Sequence, residues 1–160
     1  MEIPTIKSMA GLDGLDGLAE LAERTLIETG SLASLVPFTH TIAFDHGPYV
    51  SFSDVTYKKN LVHRGPGVDI YVICWREGQG SKIHDHPPGG CVMIVLSGEL
   101  TEKKYQNITE TPTFMSMNVV GTGQSAYNCG SEILHQIVAS METVSLHIYQ
   151  AGYVPKSYEL

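Results

Sequence analysis

From about residue 41 onward the chain is written in short apolar and aromatic runs, at 71–75, 91–96, 113–117 and 144–149, each cut off by glycine, proline, asparagine or serine. Runs so short and so punctuated suit strands that end in turns, and they leave no space for a long helix. Such strands bury their apolar side chains by closing into a sandwich or barrel. The 16 glycines and 8 prolines among 160 residues supply the turns this requires. The first thirty residues are different. Leu15, Leu18, Leu21, Ala22 and Leu26 recur at helical spacing, with Asp16, Glu20, Glu23 and Arg24 on other faces. Asp13 or Asp16 can cap this helix and Gly30 can stop it; a short second helix or turn is expected over 31–35, before Pro37. The expectation is a mainly β chain, with a helical segment at about 12–35 and a barrel at about 41–155. No repeat or linker interrupts it, so 1–160 reads as one domain.

A formal net charge of −7 argues against a nucleic-acid partner, which demands a clustered basic face; Lys58-Lys59 and Lys103-Lys104 are the only adjacent basic pairs. No apolar run approaches the roughly 18–20 residues that span a bilayer. The start of the chain lacks a basic stretch followed by an apolar one, so no secretory signal is expected. Three cysteines, Cys74, Cys91 and Cys129, are an odd number without a C-x-x-C pair. That pattern favours a reducing, cytoplasmic setting, and a monomer is expected. Cys74 reads as a small buried hydrophobe.

The chemistry concentrates around His84-Asp85-His86. In a strand, side chains two apart face the same way, so both imidazoles can grip one metal ion. Gly78, five residues, His84-Asp85-His86, four residues, Cys91, six residues, then Gly98 is similar to the first cupin motif, G-x5-H-x-H-x3-4-E-x6-G. Cys91 stands where the motif has a glutamate, often a ligand. The resemblance implies a cupin, a jelly-roll β-barrel, with the N-terminal helix added. His135, after Gly130-Ser131-Glu132-Ile133-Leu134, falls where the second cupin motif carries its histidine, although that motif's P-x-G is missing. His40, His46 and His63 lie in polar text and are not expected at a site. Three neutral imidazoles leave coordination positions open, as catalysis needs, and by ligand type they accept Zn, Fe, Ni, Cu or Mn.

Residues 73–86, Ile-Cys-Trp-Arg-Glu-Gly-Gln-Gly-Ser-Lys-Ile-His-Asp-His, resemble the cysteine dioxygenases, iron(II) enzymes of the cupin superfamily. Tyr57-Lys58-Lys59-Asn60-Leu61-Val62, Leu96-Ser97-Gly98-Glu99-Leu100, Gln124-Ser125-Ala126-Tyr127, Leu134-His135 and Val144-Ser145-Leu146-His147-Ile148-Tyr149 extend the likeness, in order. The resemblance implies His84, His86 and His135 as the ligands of Fe(2+), and Cys91 with Tyr149 as the pair that animal-type members join by a thioether. It implies Ser145, His147 and Tyr149 as a hydrogen-bonded row beside the metal; their alternation on a strand puts all three on one face. Tyr57 matches a tyrosine of the substrate site. Lys59 stands where the cysteine-specific enzymes carry a carboxylate-binding arginine, keeping the charge but losing the planar fork. Arg64 or Lys58 could assist it. Gln150-Ala151-Gly152 replaces the family's Ser-Pro-Pro, and the text stops at Leu160 where animal-type enzymes have further strands, so part of the usual pocket wall is expected to be absent or supplied otherwise. The implied reaction adds both atoms of O2 to the sulfur of L-cysteine, giving the sulfinic acid. The alternatives are another small thiol such as 3-mercaptopropionate, an isomerase or hydrolase cupin using another metal, or a metal-binding cupin without catalysis.

Overall fold

A computed structural model describes residues 14–41, 45–109 and 111–160. Helix α1, Gly14–Thr29, buries Leu18, Leu21 and Ala22, the face expected from their spacing. It stops at Gly30, whose φ of 72° suits glycine and whose N–H bonds Leu26 O at 2.8 Å. The candidate cap Asp13 and the side chain of His40 lie outside the described residues. A 3₁₀ helix then runs Leu32–Thr41, well past the expected 31–35 and through Pro37. Proline's fixed φ lies within the 3₁₀ range, and Pro37 is exposed, so its missing N–H leaves nothing buried without a partner. Strands begin later than residue 41. A short 3₁₀ turn, Gly47–Tyr49, comes first, and beyond it the Ser53 hydroxyl accepts from Val55 N at 3.2 Å. Local bonds of this kind compete with a sheet ladder.

Ten strands follow among the described residues: β1 Lys58–Arg64, β2 Val68–Trp75, β3 Ile83–His84, β4 Cys91–Ser97, β5 Glu99–Thr109, β6 Thr111–Gly121, β7 Ser125–Asn128, β8 Ile133–Ala139, β9 Thr143–Gln150 and β10 Ser157–Tyr158. They form two five-stranded sheets in the orders β1-β2-β9-β4-β7 and β10-β3-β8-β5-β6. All the pairings are antiparallel. This is the jelly-roll arrangement that the cupin resemblance implied, and one form of the sandwich or barrel that the succession of short strands called for.

The three central strands of the first sheet, β2, β9 and β4, are buried on both faces. Val68, Ile70, Val72 and Cys74 of β2, Val92 and Ile94 of β4, and Val144, Leu146 and Ile148 of β9 pack against Leu18, Leu21, Leu32 and Leu35 of the helices. Cys74 is thus a core residue. The alternate positions face the barrel interior, where Ile73, Trp75, Met93 and Val95 meet Leu100, Val120 and Ile137 of the second sheet. Burying the even-numbered residues of β9 under the helices commits Ser145, His147 and Tyr149 to the interior. The two glycines of the histidine motif are both turn formers, with φ of 84° at Gly78 and 98° at Gly98. At Gly98 a Cβ would also lie 2.5 Å from the backbone oxygen of Glu142, so no other residue fits.

Leu21 is 1% exposed. Leu21→Ala is expected to cost about 2–5 kcal/mol of stability, read as an earlier midpoint in urea unfolding with an unchanged slope.

Candidate metal centre

His84 ends β3 and lies directly opposite His135 on β8. β3 is too short to include His86, which sits in the irregular stretch after it, held by its N–H bond to Gly130 O at 3.0 Å. The shared direction expected of one strand is therefore produced by a strand end and the loop that follows it. The three rings still converge, with ligand atoms all within 4.8 Å of one another. Nε2 of His135 is 2.9 Å from Nε2 of His86 and 3.1 Å from Nε2 of His84.

Outer hydrogen bonds assign the protons. Nδ1 of His84 is 2.7 Å from Lys82 O, a carbonyl that can only accept, so Nδ1 carries the hydrogen. Nδ1 of His135 is 2.8 Å from Oε2 of Glu102, which also accepts from Asn128 Nδ2 at 2.9 Å. Burial raises the Glu102 carboxyl, but its bonds from His135 and Asn128 and the charges of His135 and Lys104 outweigh that and leave it below the ordinary range. Glu102 is therefore an ionised acceptor, and Nδ1 of His135 is a donor. The Nε2 atoms of His135 and His84 are only 3.1 Å apart and face each other. Burial and then the charge of His135 push His84 down to about 4, so near neutrality its Nε2 offers a lone pair. Burial lowers His86 strongly as well, and its Nδ1 is a buried atom without a partner. Three imidazoles aimed at one point, with a carboxylate fixing one of them, are a donor set that fits a transition-metal ion.

Beside the histidines runs a row whose direction is set by Trp75. The indole Nε1 can only donate, and it bonds Ser145 Oγ at 2.9 Å. Ser145 then donates to Nε2 of His147 at 2.8 Å, which leaves the His147 proton on Nδ1, facing the Tyr149 oxygen at 3.3 Å. The hydroxyl of Tyr149 is left to bond the Cys91 sulfur, and Cys91 is the cross-strand partner of Tyr149 in the β4–β9 ladder. Burial, then the proximity of Cys91, holds the Tyr149 phenol well above its usual range, and burial pushes the Cys91 thiol up to about 12. Burial, then the Lys59 charge, keeps His147 neutral. The row carries no net charge.

The site opens on a cavity of about 340 Å³ lined by Tyr57, Lys59, His84, His135, His147 and Tyr149, among others. Tyr57 stacks on Trp75 with ring centres 4.6 Å apart. The Lys59 ammonium lies 4.5 Å from the ring centre of Tyr71 and 5.2 Å from that of Tyr149, and partial withdrawal from water lowers its pKa. His86, Cys91 and Ser145 stand behind this wall, each touching it through a hydrogen-bonded neighbour. Arg64 and Lys58 do not reach the cavity: Arg64 pairs with Asp69 at 3.6 Å and Lys58 bonds Ser51 Oγ at 2.6 Å. Pro155 and Ser157 complete one side. Glu102, Asn128 and the roles of Trp75 and Tyr71 were missed from sequence. The available signal was an acidic residue two places from the inward-facing Leu100 on β5.

A β-barrel carrying three inward histidines around one point is a cupin with a metal centre. The chain belongs to the cysteine dioxygenase type I family, whose model matches residues 2–156. It is 35% identical over 108 residues to human cysteine dioxygenase type 1, covering 63% of this chain and 54% of that protein. The chain thus spans about half the length of that relative. With the rat enzyme it shares 30% identity over 156 residues, 79% of this chain and 78% of that one. Among solved structures, a cupin superfamily protein from Desulfitobacterium hafniense superposes with a TM-score of 0.52 at 11% identity, covering 64% of this chain and 84% of that one; it supports the barrel alone.

Glu102→Gln removes the charge behind His135 while keeping an acceptor. It is expected to weaken metal binding about 10–100-fold, measured by anaerobic metal titration, with little change in the unfolding midpoint of the metal-free protein.

Proposed function

We propose that the chain is an iron(II)-dependent thiol dioxygenase that converts L-cysteine to cysteine sulfinic acid. The observation that carries this reading is that one cavity is lined side by side by His84 and His135 of the histidine cluster, a lysine for a carboxylate, and Tyr149 and His147 of the neutral row, with His86 and Ser145 directly behind them. His84, His86 and His135 would hold iron(II), which when bound supplies a seat for the thiolate and the activation of dioxygen. The absence of an acidic ligand, with Cys91 where one often stands, leaves charge room for an anionic sulfur. Lys59 would pair with the substrate carboxylate and so orient the thiol towards the histidines, which is catalysis by positioning. His147 and the Tyr149 hydroxyl would hold the substrate by hydrogen bonds, their protons directed by the Trp75 indole. Both oxygen atoms pass to sulfur, which supplies all the electrons that dioxygen takes up, so no further reductant is needed. The product stands on the irreversible part of the thiol oxidation ladder.

The pairing of Cys91 with Tyr149 supports a thioether between them. A C–S bond would replace the thiol hydrogen and one ring hydrogen, with the two electrons and two protons going to dioxygen. The phenol would then be fixed, and a thiol that competes for metal would be gone. The same reading takes the chain as a single domain acting as a monomer in a reducing cytoplasm, consistent with unpaired Cys74, Cys91 and Cys129. Lys59 also favours a second reading, a dioxygenase for 3-mercaptopropionate, because a point charge selects a carboxylate less strictly than a planar fork.

Oxygen uptake and sulfinate formation by iron(II)-loaded protein test this, with L-cysteine, 3-mercaptopropionate and a His86→Ala control. Uptake on L-cysteine that disappears in the control is expected. Uptake on the other thiol alone would overturn the substrate, and uptake on neither would favour a binding module. Lys59→Ala is expected to lower kcat/KM about tenfold, as for loss of a charge-assisted hydrogen bond, mostly through KM and without loss of bound iron.

A further inference from the structure

Asp85 lies between two of the metal-site histidines, yet its side chain turns away from them. It is 3% exposed and accepts three hydrogen bonds, all from one distant segment: Tyr153 OH and Lys156 N reach Oδ1, each at 2.8 Å, and Tyr158 OH reaches Oδ2 at 3.1 Å. The backbone repeats the attachment, with Asp85 N donating to Lys156 O at 3.1 Å and Ser157 lying opposite His84 in the β10–β3 ladder. The segment so held contributes Pro155 and Ser157 to the cavity that His84 and His135 also line. Asn107 of β5 also bonds the Tyr158 hydroxyl, and little else grips the segment. Residues 152–157 are exposed, and its main apolar anchor is Tyr158, packed on Ile83, Tyr105 and Leu134.

We propose that Asp85 is a positioning residue that ties the cavity wall at 153–158 to the metal ligands, so that metal occupancy and closure of that wall are coupled. The inference rests on the reading of His84, His86 and His135 as ligands. Residues 84–86 are consecutive, so fixing the two imidazoles on an ion fixes the Asp85 backbone between them and aims the carboxylate at its three donors. The two tyrosines and the Lys156 amide, once bound, hold the same short stretch in the geometry that the metal needs. Coupling of this kind is reciprocal: whatever the metal adds to wall closure, closure adds to metal affinity. The wall is thereby firm when the site is able to bind a thiol and loose when it is not.

The test is amide hydrogen exchange across 153–158 in the full chain, metal-free and saturated with iron(II) under anaerobic conditions. It compares the natural sequence with Tyr153→Phe/Tyr158→Phe, which removes two donors without altering the loop that carries the ligands. Iron(II) is expected to slow exchange in this segment about fivefold or more in the natural sequence and much less in the double variant. The variant should also bind iron(II) several-fold more weakly, while exchange in α1 stays unchanged in both. Iron(II) that binds while exchange in the segment stays unmoved, or a double variant matching the natural sequence in both readouts, would overturn the coupling alone. A chain that takes up no iron(II) would overturn the metal centre and the coupling with it.

Discussion

Side chains on β9 alternate between two buried faces, and the site exists because of that division. Val144, Leu146 and Ile148 are claimed by α1 and the 3₁₀ helix, so Ser145, His147 and Tyr149 cannot turn away from the barrel interior. A one-residue slip would bury polar groups under the helices and expose the apolar set to the cavity. β9 is also the centre of its sheet, paired with β2 on one side and β4 on the other. Its register therefore sets Cys91 opposite Tyr149, Met93 opposite His147 and Ile73 opposite Ser145. Trp75, two places along the same face as Ile73, then comes within reach of Ser145. The helices outside the barrel thus act on the chemistry by deciding which face of one strand is polar.

The electrostatics of the interior follow one rule. His84, His86 and the Tyr149–His147–Ser145 row are neutral, and the charges sit behind them or at the cavity wall. Burial holds His84, His86 and His147 unprotonated and keeps Tyr149 and Cys91 protonated. Glu102 carries its charge behind His135, where it sets a tautomer, and Lys59 carries its charge at the cavity wall. A buried unpaired charge is costly, and here each one has a partner or access to solvent. The convergence of three imidazole nitrogens, with those of His84 and His135 3.1 Å apart, makes a cation the natural occupant of that point.

Much of this was legible in the sequence because the periodicities are local. The helical face of α1, the alternation of residues 145, 147 and 149, and the glycine-flanked His84-Asp85-His86 each declare themselves within a few residues. What stayed hidden depends on distant partners. Glu102 lies in Thr101-Glu102-Lys103-Lys104, text that reads as a solvated face, and its meaning comes from His135, 33 residues on. Asp85 reads as filler between two ligands until Tyr153 and Tyr158 arrive from 68 and 73 residues away. Pro37 looked like a stop because propensity rules concern α-helices, whereas the segment it enters is 3₁₀. The late start of the strands had no strong local signal either, since the serines and prolines before Lys58 suit a turn or a strand edge equally.

The central claim is that His84, His86 and His135 hold a metal ion with positions open for a thiol. X-ray absorption at the iron K-edge addresses it most directly, on the iron(II)-loaded chain before and after anaerobic addition of L-cysteine. The account predicts a shell of three imidazole nitrogens in the first spectrum and the gain of one sulfur neighbour in the second. Iron bound mainly by carboxylate oxygens, or imidazole-bound iron that gains no sulfur from any small thiol, would contradict it.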